Sequence, residues 1–162
     1  MQRIALEIKP DFSTLVPEKR VELTTEGGLE VASRIDFLKS FIAGLQRGGI
    51  TVSLFVDPDE KQIAASKKTG ADCVEIHTGA YANARTEIDR HREFVKITDA
   101  VKLASSLGLQ VGAGHGLNYL NVRNIAGIPE VSELNIGHSI ISRAALVGMD
   151  RAVRDMNQLI EA

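Results

Sequence analysis

The amino-acid sequence predicts an α/β protein built on a single parallel sheet, and three observations lead there. Five short β-rich runs recur along the 162 residues, each followed by a segment with helical patterning. The helical segments carry apolar residues at the 3.6-residue period, so each presents a stripe that needs a sheet to cover it. Glycine and Asp-Pro punctuation marks the junctions between the two kinds of segment.

The chain opens on Ile4, Ala5 and Ile8, an amphipathic fragment that reads as the end of a helix with no strand before it. The first strand is expected over Phe12 to Val16. A long loop with Thr24-Thr25-Glu26-Gly27-Gly28 follows, then a helix whose stripe is Phe37, Leu38, Phe41 and Leu45. The second strand, Thr51 to Val56, runs into Asp57-Pro58-Asp59-Glu60, where Asp57 is expected to cap a helix that has Pro58 at its first position. Asp72 to Ile76 is the third strand. The stripe Phe94, Ile97, Val101 and Ala104 precedes the fourth, Leu109 to Ala113, and the fifth is Glu133 to Ile136. Gly48-Gly49, Gly70 and Gly108 end three helices just before the next strand, where a left-handed C-cap falls. No low-complexity linker interrupts the pattern, so residues 1–162 read as one domain. Right-handed crossovers make the sheet parallel, either open and doubly wound or closed into a barrel. Length favours the open form, since a closed (β/α)8 barrel takes about 200 residues or more.

Composition narrows the function classes. With 19 Lys+Arg against 21 Asp+Glu the net charge is −2, and no basic run offers a footprint for nucleic acid or an anionic membrane surface. No stretch approaches the roughly 20 uninterrupted apolar residues of a membrane span. The first ten residues are too mixed for a signal-peptide core, so a cytoplasmic protein is expected. The single cysteine, Cys73, rules out an internal disulfide and a thiolate zinc site, and reads as a packed thiol.

In parallel α/β folds the chemistry collects at the carboxyl ends of the strands. Three of the four histidines fall there: His77 in Glu75-Ile76-His77-Thr78-Gly79, His115 in Gly114-His115-Gly116 and His138 in Gly137-His138-Ser139. The fourth, His91, sits in the charged run Asp89-Arg90-His91-Arg92-Glu93 and reads as a solvated helix residue. The period-2 rule puts Cys73, Glu75 and His77 on one face of their strand and Val74 and Ile76 on the other. Glu75 is then either a structural carboxylate paired with Lys or Arg, or an acid/base whose pKa partial burial raises. His115, flanked by glycines, is either bonded to backbone at a tight turn or free to transfer protons near neutral pH. Gly137-His138-Ser139 opens a helix whose free N–H groups suit a phosphate, though Gly137 also fits a plain turn. The pattern is neither GxGxxG nor a P-loop, so no dinucleotide or NTP is indicated. The three strand-end histidines and Glu75 lack HxH or HExxH spacing, and no metal is expected.

Five segments resemble one family in the family's own order, almost end to end. They are Leu15-Val16-Pro17-Glu18-Lys19-Arg20 with Thr24-Thr25-Glu26-Gly27-Gly28, Val52-Ser53-Leu54-Phe55-Val56-Asp57, Val74-Glu75-Ile76-His77-Thr78-Gly79, Ala113-Gly114-His115-Gly116-Leu117 and Glu133-Leu134-Asn135-Ile136-Gly137-His138. The family is pyridoxine 5′-phosphate synthase. The resemblance implies a partial (β/α)8 TIM barrel in which these are strands four to eight with their helices, beginning at the family's third helix. It implies condensation of 1-deoxy-D-xylulose 5-phosphate with 3-amino-2-oxopropyl phosphate to pyridoxine 5′-phosphate, phosphate and water. No organic cofactor takes part, and the family forms ring-like homo-octamers. By motif, His115 is implied as proton donor and Glu75 as the group that stabilises the transition state. Thr24 is implied as a contact to the deoxyxylulose phosphate, and Gly116, Gly137 and His138 as ligands of the aminooxopropyl phosphate.

The family draws further general bases, an asparagine and arginines from its first three strands, which this chain does not have. The expected outcome is a sheet with two open edges, in a chain that is marginally stable, associates, or needs another chain to complete it. The alternative functions are a non-catalytic remnant that binds a phosphorylated ligand or joins an intact subunit, and an independent open-sheet protein using the same strand ends differently.

Overall fold

The β-rich runs alternate apolar with small or polar residues, and the pleat of a strand sends the two sets to opposite faces. A computed structural model describes residues 2–17 and 27–161, and in it this alternation organises the molecule. The elements are α1 (Gln2–Ile8), β1 (Phe12–Leu15), α2 (Ile35–Gln46), β2 (Thr51–Val56), α3 (Glu60–Thr69), β3 (Cys73–His77) and α4 (Gly79–Asn83). The chain continues with α5 (Glu87–Ser106), β4 (Gln110–Gly114), α6 (Val122–Ala126), β5 (Val131–Asn135), α7 (His138–Val147) and α8 (Met149–Ile160). Among these, no helix is long and apolar enough to cross a membrane.

All five strands are parallel, and their spatial order β1-β2-β3-β4-β5 is their order in the chain. Each crossover therefore advances in the same direction, and helices accumulate on one face. This is the winding of a barrel. Of the length-based expectation, the open sheet holds and the double winding is corrected, because length limits how many strands exist but not whether the winding reverses; the arrangement is the partial barrel that the resemblance implies. The sheet stays unclosed, with β1 and β5 as its edges.

The outward phase builds the core. Val52, Leu54, Val56, Val74, Ile76, Val111 and Ala113 are almost wholly buried, together with Leu38, Ile42 and Leu45 of α2, Ile63 of α3 and Ile97, Val101 and Ala104 of α5. The inward phase is mostly polar or small: Thr14, Ser53, Cys73, Glu75, Gln110, Gly112 and Glu133 line the concave face, with the rings of Phe12 and Phe55 as its aromatic members.

Three local expectations shift. The buried line of α2 is Leu38, Ile42 and Leu45, whereas Phe37 is 56% exposed, under the Arg34 guanidinium at 5.0 Å and 6.0 Å from the Phe41 ring. Leu38, Ile42 and Leu45 follow the i, i+4, i+7 row that meets the sheet, which rotates Phe37 out. The cap of α3 is Asp59, not Asp57: its carboxylate accepts from the Gln62 N–H at 3.0 Å. β3 starts at Cys73 and runs on to His77, because the Asp72 carboxylate is taken by the Val52 N–H at 2.8 Å. The helix ends are as expected, with Gly49, Gly70 and Gly108 at φ of 82°, 82° and 73°.

Asp59 is the sole side-chain cap of α3, so Asp59→Ala is expected to lower stability by about 1 kcal/mol, measured by urea denaturation.

Candidate active site

The inward phase and the carboxyl strand ends meet in one cleft of about 600 Å3, lined by Phe55, Glu75, His115, Gly116, Asn135, Gly137 and His138, with Val16, Ile136, Ser139 and Ser142 at its rim. Strand register explains the grouping. Glu75 lies opposite Phe55 of β2 and Gly112 of β4, and one step further His77 lies opposite Gly114, itself opposite Asn135 of β5.

Glu75 owes its place to one small neighbour. A Cβ on Gly114 would stand 2.5 Å from Glu75 Oε1 and 3.0 Å from the Asn135 Cβ, so only glycine leaves the carboxyl room. Burial pushes the Glu75 carboxyl above the usual carboxylate range and the Glu133 carboxylate adds to this, while the Asn135 carboxamide and the His77 ring pull the other way. Among the described residues no Lys or Arg forms an ion pair with Glu75. The structural-pair alternative finds no partner among the described residues.

His115 occupies a left-handed backbone conformation, φ 82°, which a non-glycine residue adopts only when its surroundings hold it there. Thr78 does the holding. Its buried hydroxyl lies 2.7 Å from both the Gly114 and the His115 carbonyl oxygens, and its N–H donates to the Gly114 carbonyl at 2.8 Å. Gly116 follows at φ 76°, and a Cβ there would come within 2.7 Å of the Ala82 Cβ. The turn aims the imidazole at the cleft, where burial pushes its pKa below the ordinary histidine value, with the His77 and His138 rings acting in the same direction.

His138 is exposed in the cleft at the first position of α7, and no side chain caps that helix. The first-turn N–H groups beside Gly137 are thus available to an anion. Ser139 is not among the free donors to such a ligand, since its hydroxyl donates to the Leu117 carbonyl at 2.8 Å.

Placement thus separates the histidines. His115 and His138 line the cleft, His91 is exposed on α5, and His77 is buried behind His115 with its ring bonded to Asp57. Cys73 is a buried free thiol whose Sγ donates to the Gln110 carboxamide oxygen at 3.5 Å. Thr24 lies outside the described residues. Among the described residues no three His, Cys, Asp or Glu side chains converge as a metal site would need.

Two residues were not singled out in the sequence. Asn135 shares the phase of Glu133 on β5 and could have been found by the same period-2 count that located Glu75. Thr78 carries no sequence signal, because its role exists only once β4 lies beside β3.

The one-way winding and the polar cleft at the carboxyl strand ends define a protein of the (β/α)-barrel class. A xylose isomerase domain protein from Planctomyces limnophilus shares this fold, with a TM-score of 0.54 at 13% identity over 94% of this chain and 66% of that one. The chain belongs to the family described as pyridoxal phosphate biosynthesis protein PdxJ, whose family model matches residues 1–162. It is similar to the pyridoxine 5′-phosphate synthases of Geotalea uraniireducens (56% identical) and Geotalea daltonii (57%), each over 161 residues. Those matches take in 99% of this chain and 67% of each relative's length.

A carboxyl whose folded pKa is raised binds its proton more tightly folded than unfolded, so stability falls as pH rises through the model-peptide value of 4.5 and the raised value. Glu75→Gln is therefore expected to raise Tm at neutral pH, with the gain vanishing below pH 4.5, read by thermal melts across pH. Thr78→Val keeps the shape but removes the hydroxyl from two carbonyls, and is expected to cost about 1–3 kcal/mol in denaturant unfolding.

Proposed function

We propose that this chain carries the proton donor, the transition-state carboxyl and a phosphate site of a pyridoxine 5′-phosphate synthase. The reaction would condense 1-deoxy-D-xylulose 5-phosphate with 3-amino-2-oxopropyl phosphate and close the pyridine ring with loss of phosphate and water. The observation that carries the reading is the cleft itself: His115, Glu75 and the uncapped start of α7 converge on it, in a chain of this family.

Ring closure through imine and aldol-like steps requires repeated proton movement and stabilisation of developing charge. In this reading the His115 imidazolium, whose pKa burial pushes below the ordinary histidine value and whose proton is therefore held less tightly, delivers protons to the substrate and takes them back. Glu75, 2.5 Å from the place a Gly114 side chain would fill, stabilises the charge that builds at the reacting centre. Gly116, Gly137 and His138 hold the aminooxopropyl phosphate with backbone N–H groups and an imidazole, and Thr24 touches the deoxyxylulose phosphate. The working state is a cytoplasmic homo-oligomer.

A second reading rests on a different observation. The unclosed sheet leaves the edges of β1 and β5 unpaired among the described residues, and the polar concave face with Thr14, Ser53 and Glu133 is open. A non-catalytic remnant that binds a phosphorylated ligand, or joins an intact subunit, fits that surface.

The test is to incubate the chain with both substrates, follow pyridoxine 5′-phosphate by its fluorescence, and in parallel follow the backbone amides while adding the aminooxopropyl phosphate. Product formation supports the first reading, and His115→Ala is then expected to lower turnover by about 100- to 10,000-fold. Amide shifts at Gly116, Gly137 and His138 without product support the second. Neither signal overturns both.

A further inference from the structure

Behind His115 lies a pair of side chains that the proposed reaction does not use. Asp57 leaves the carboxyl end of β2, and its Oδ1 is 2.8 Å from His77 Nδ1 and 3.0 Å from the Gly28 N–H. Both bonds hold the carboxylate ionised, the histidine bond more strongly, so Asp57 sits below the usual carboxylate range. An ionised acceptor requires the proton on Nδ1, which sets the tautomer of the neutral ring. The other nitrogen, Nε2, is buried and has no hydrogen-bond partner among the described residues. The residue is 8% exposed, with its ring centroid 4.9 Å from that of His115 in an edge-on arrangement and 5.0 Å from Phe55. Gly79 closes the packet: a Cβ there would stand 2.5 Å from His77 Nε2 and 3.1 Å from His115 Cδ2.

We propose that Asp57 and His77 are a positioning pair for His115: the carboxylate sets the tautomer and tilt of the His77 ring, and that ring is the wall against which the His115 imidazole is held. The inference rests on the reading of His115 as the proton donor and adds to it. Asp57 also ties the pair to the segment after β1, since Gly28 packs so closely on it that a Cβ would lie 2.1 Å from the Asp57 nitrogen. The titratable groups that face the two rings are Asp57 after β2, Glu75 on β3 and His138 at the start of α7, with Glu133 on β5 acting on Glu75.

The experiment is two-bond 1H–15N correlation NMR of the histidine rings in this chain, titrated with pH. In the unmodified chain His77 is expected to carry its proton on Nδ1, and a bare Nδ1 with the proton on Nε2 overturns the proposal before any variant is made. His77→Phe keeps a ring in place but removes the neighbouring imidazole that pushes the His115 pKa down, so the His115 midpoint is expected to move up. Asp57→Asn removes the charge that sets the tautomer, so His77 is expected to lose its single Nδ1-protonated form and the His115 ring signals to shift. His91 serves as the internal control and stays put. Should His77→Phe fail to fold, the unmodified chain and Asp57→Asn decide between them. A drop in Tm with unchanged His115 titration would make the pair merely structural. Loss of turnover in the synthase assay leaves these ring readouts untouched, whereas turnover with an unmoved His115 sinks the pair and spares the reaction.

Discussion

Strand β3 has to present two surfaces of opposite character from five consecutive residues, and the cleft depends on how its pleat divides them. Val74 and Ile76 point outward and are fully buried against the helices. That leaves Cys73, Glu75 and His77 no choice but the inner face. A slip of one residue would put two aliphatic side chains into the cleft and a carboxyl and an imidazole into the core, a cost of several kcal/mol that pins the register. The burial of the outer face is thus the force that holds the chemistry in place. Glu75 needs no ion pair to stay there, because its strand is anchored from behind.

The second strand end that matters, the His115 turn, is held differently. Here the backbone itself is in an unfavourable region, φ 82°, and the compensation comes from one hydroxyl and a set of small residues. Thr78 closes on two carbonyls, while Gly79, Gly114 and Gly116 clear the space that the rings, the carboxyl and Ala82 occupy. The arrangement trades local strain for an imidazole aimed into a cleft, which is where strained backbone is commonly found. Burial then acts on the two key groups in opposite directions, up for the Glu75 carboxyl and down for the His115 imidazole. Both shifts favour the neutral form, as desolvation requires, and the upward one carries the Glu75 carboxyl towards the pH range of proton exchange.

Membership of the PdxJ family and the unclosed sheet have to be held together. The chain spans 67% of the length of the relatives it matches, and its five strands wind in the barrel sense without meeting. The consequence is visible in side-chain character: the concave face is lined by Thr14, Ser53, Gln110 and Glu133, groups that water satisfies as readily as protein. An outer core independent of closure explains how five βα units keep a defined sheet. The inner face and the two edges are what a complementary surface would have to cover.

Much of this was legible in the amino-acid sequence, and for a definable reason. The positions of the five strands, the glycine helix ends and the inward phase of Cys73, Glu75 and His77 all follow from local periodicity and φ preference, which neighbouring residues decide among themselves. The clustering of three histidines at strand ends was readable for the same reason. Winding was legible only through the family resemblance, because the length that suggested an open doubly wound sheet says nothing about which neighbour a strand chooses. Nor was the fate of Asp57, whose place before Pro58 marks a cap in sequence but whose carboxylate is claimed by His77 and Gly28, 20 and 29 residues away. Thr78 likewise acquires its role only from β4, and His77 and His138 exchange no sequence clue about which is buried. Local structure was determined by the sequence alone, because short-range sterics and alternation suffice for it. Which polar groups became partners was decided only in the tertiary structure, because hydrogen bonds between strand ends depend on the order in which strands lie side by side.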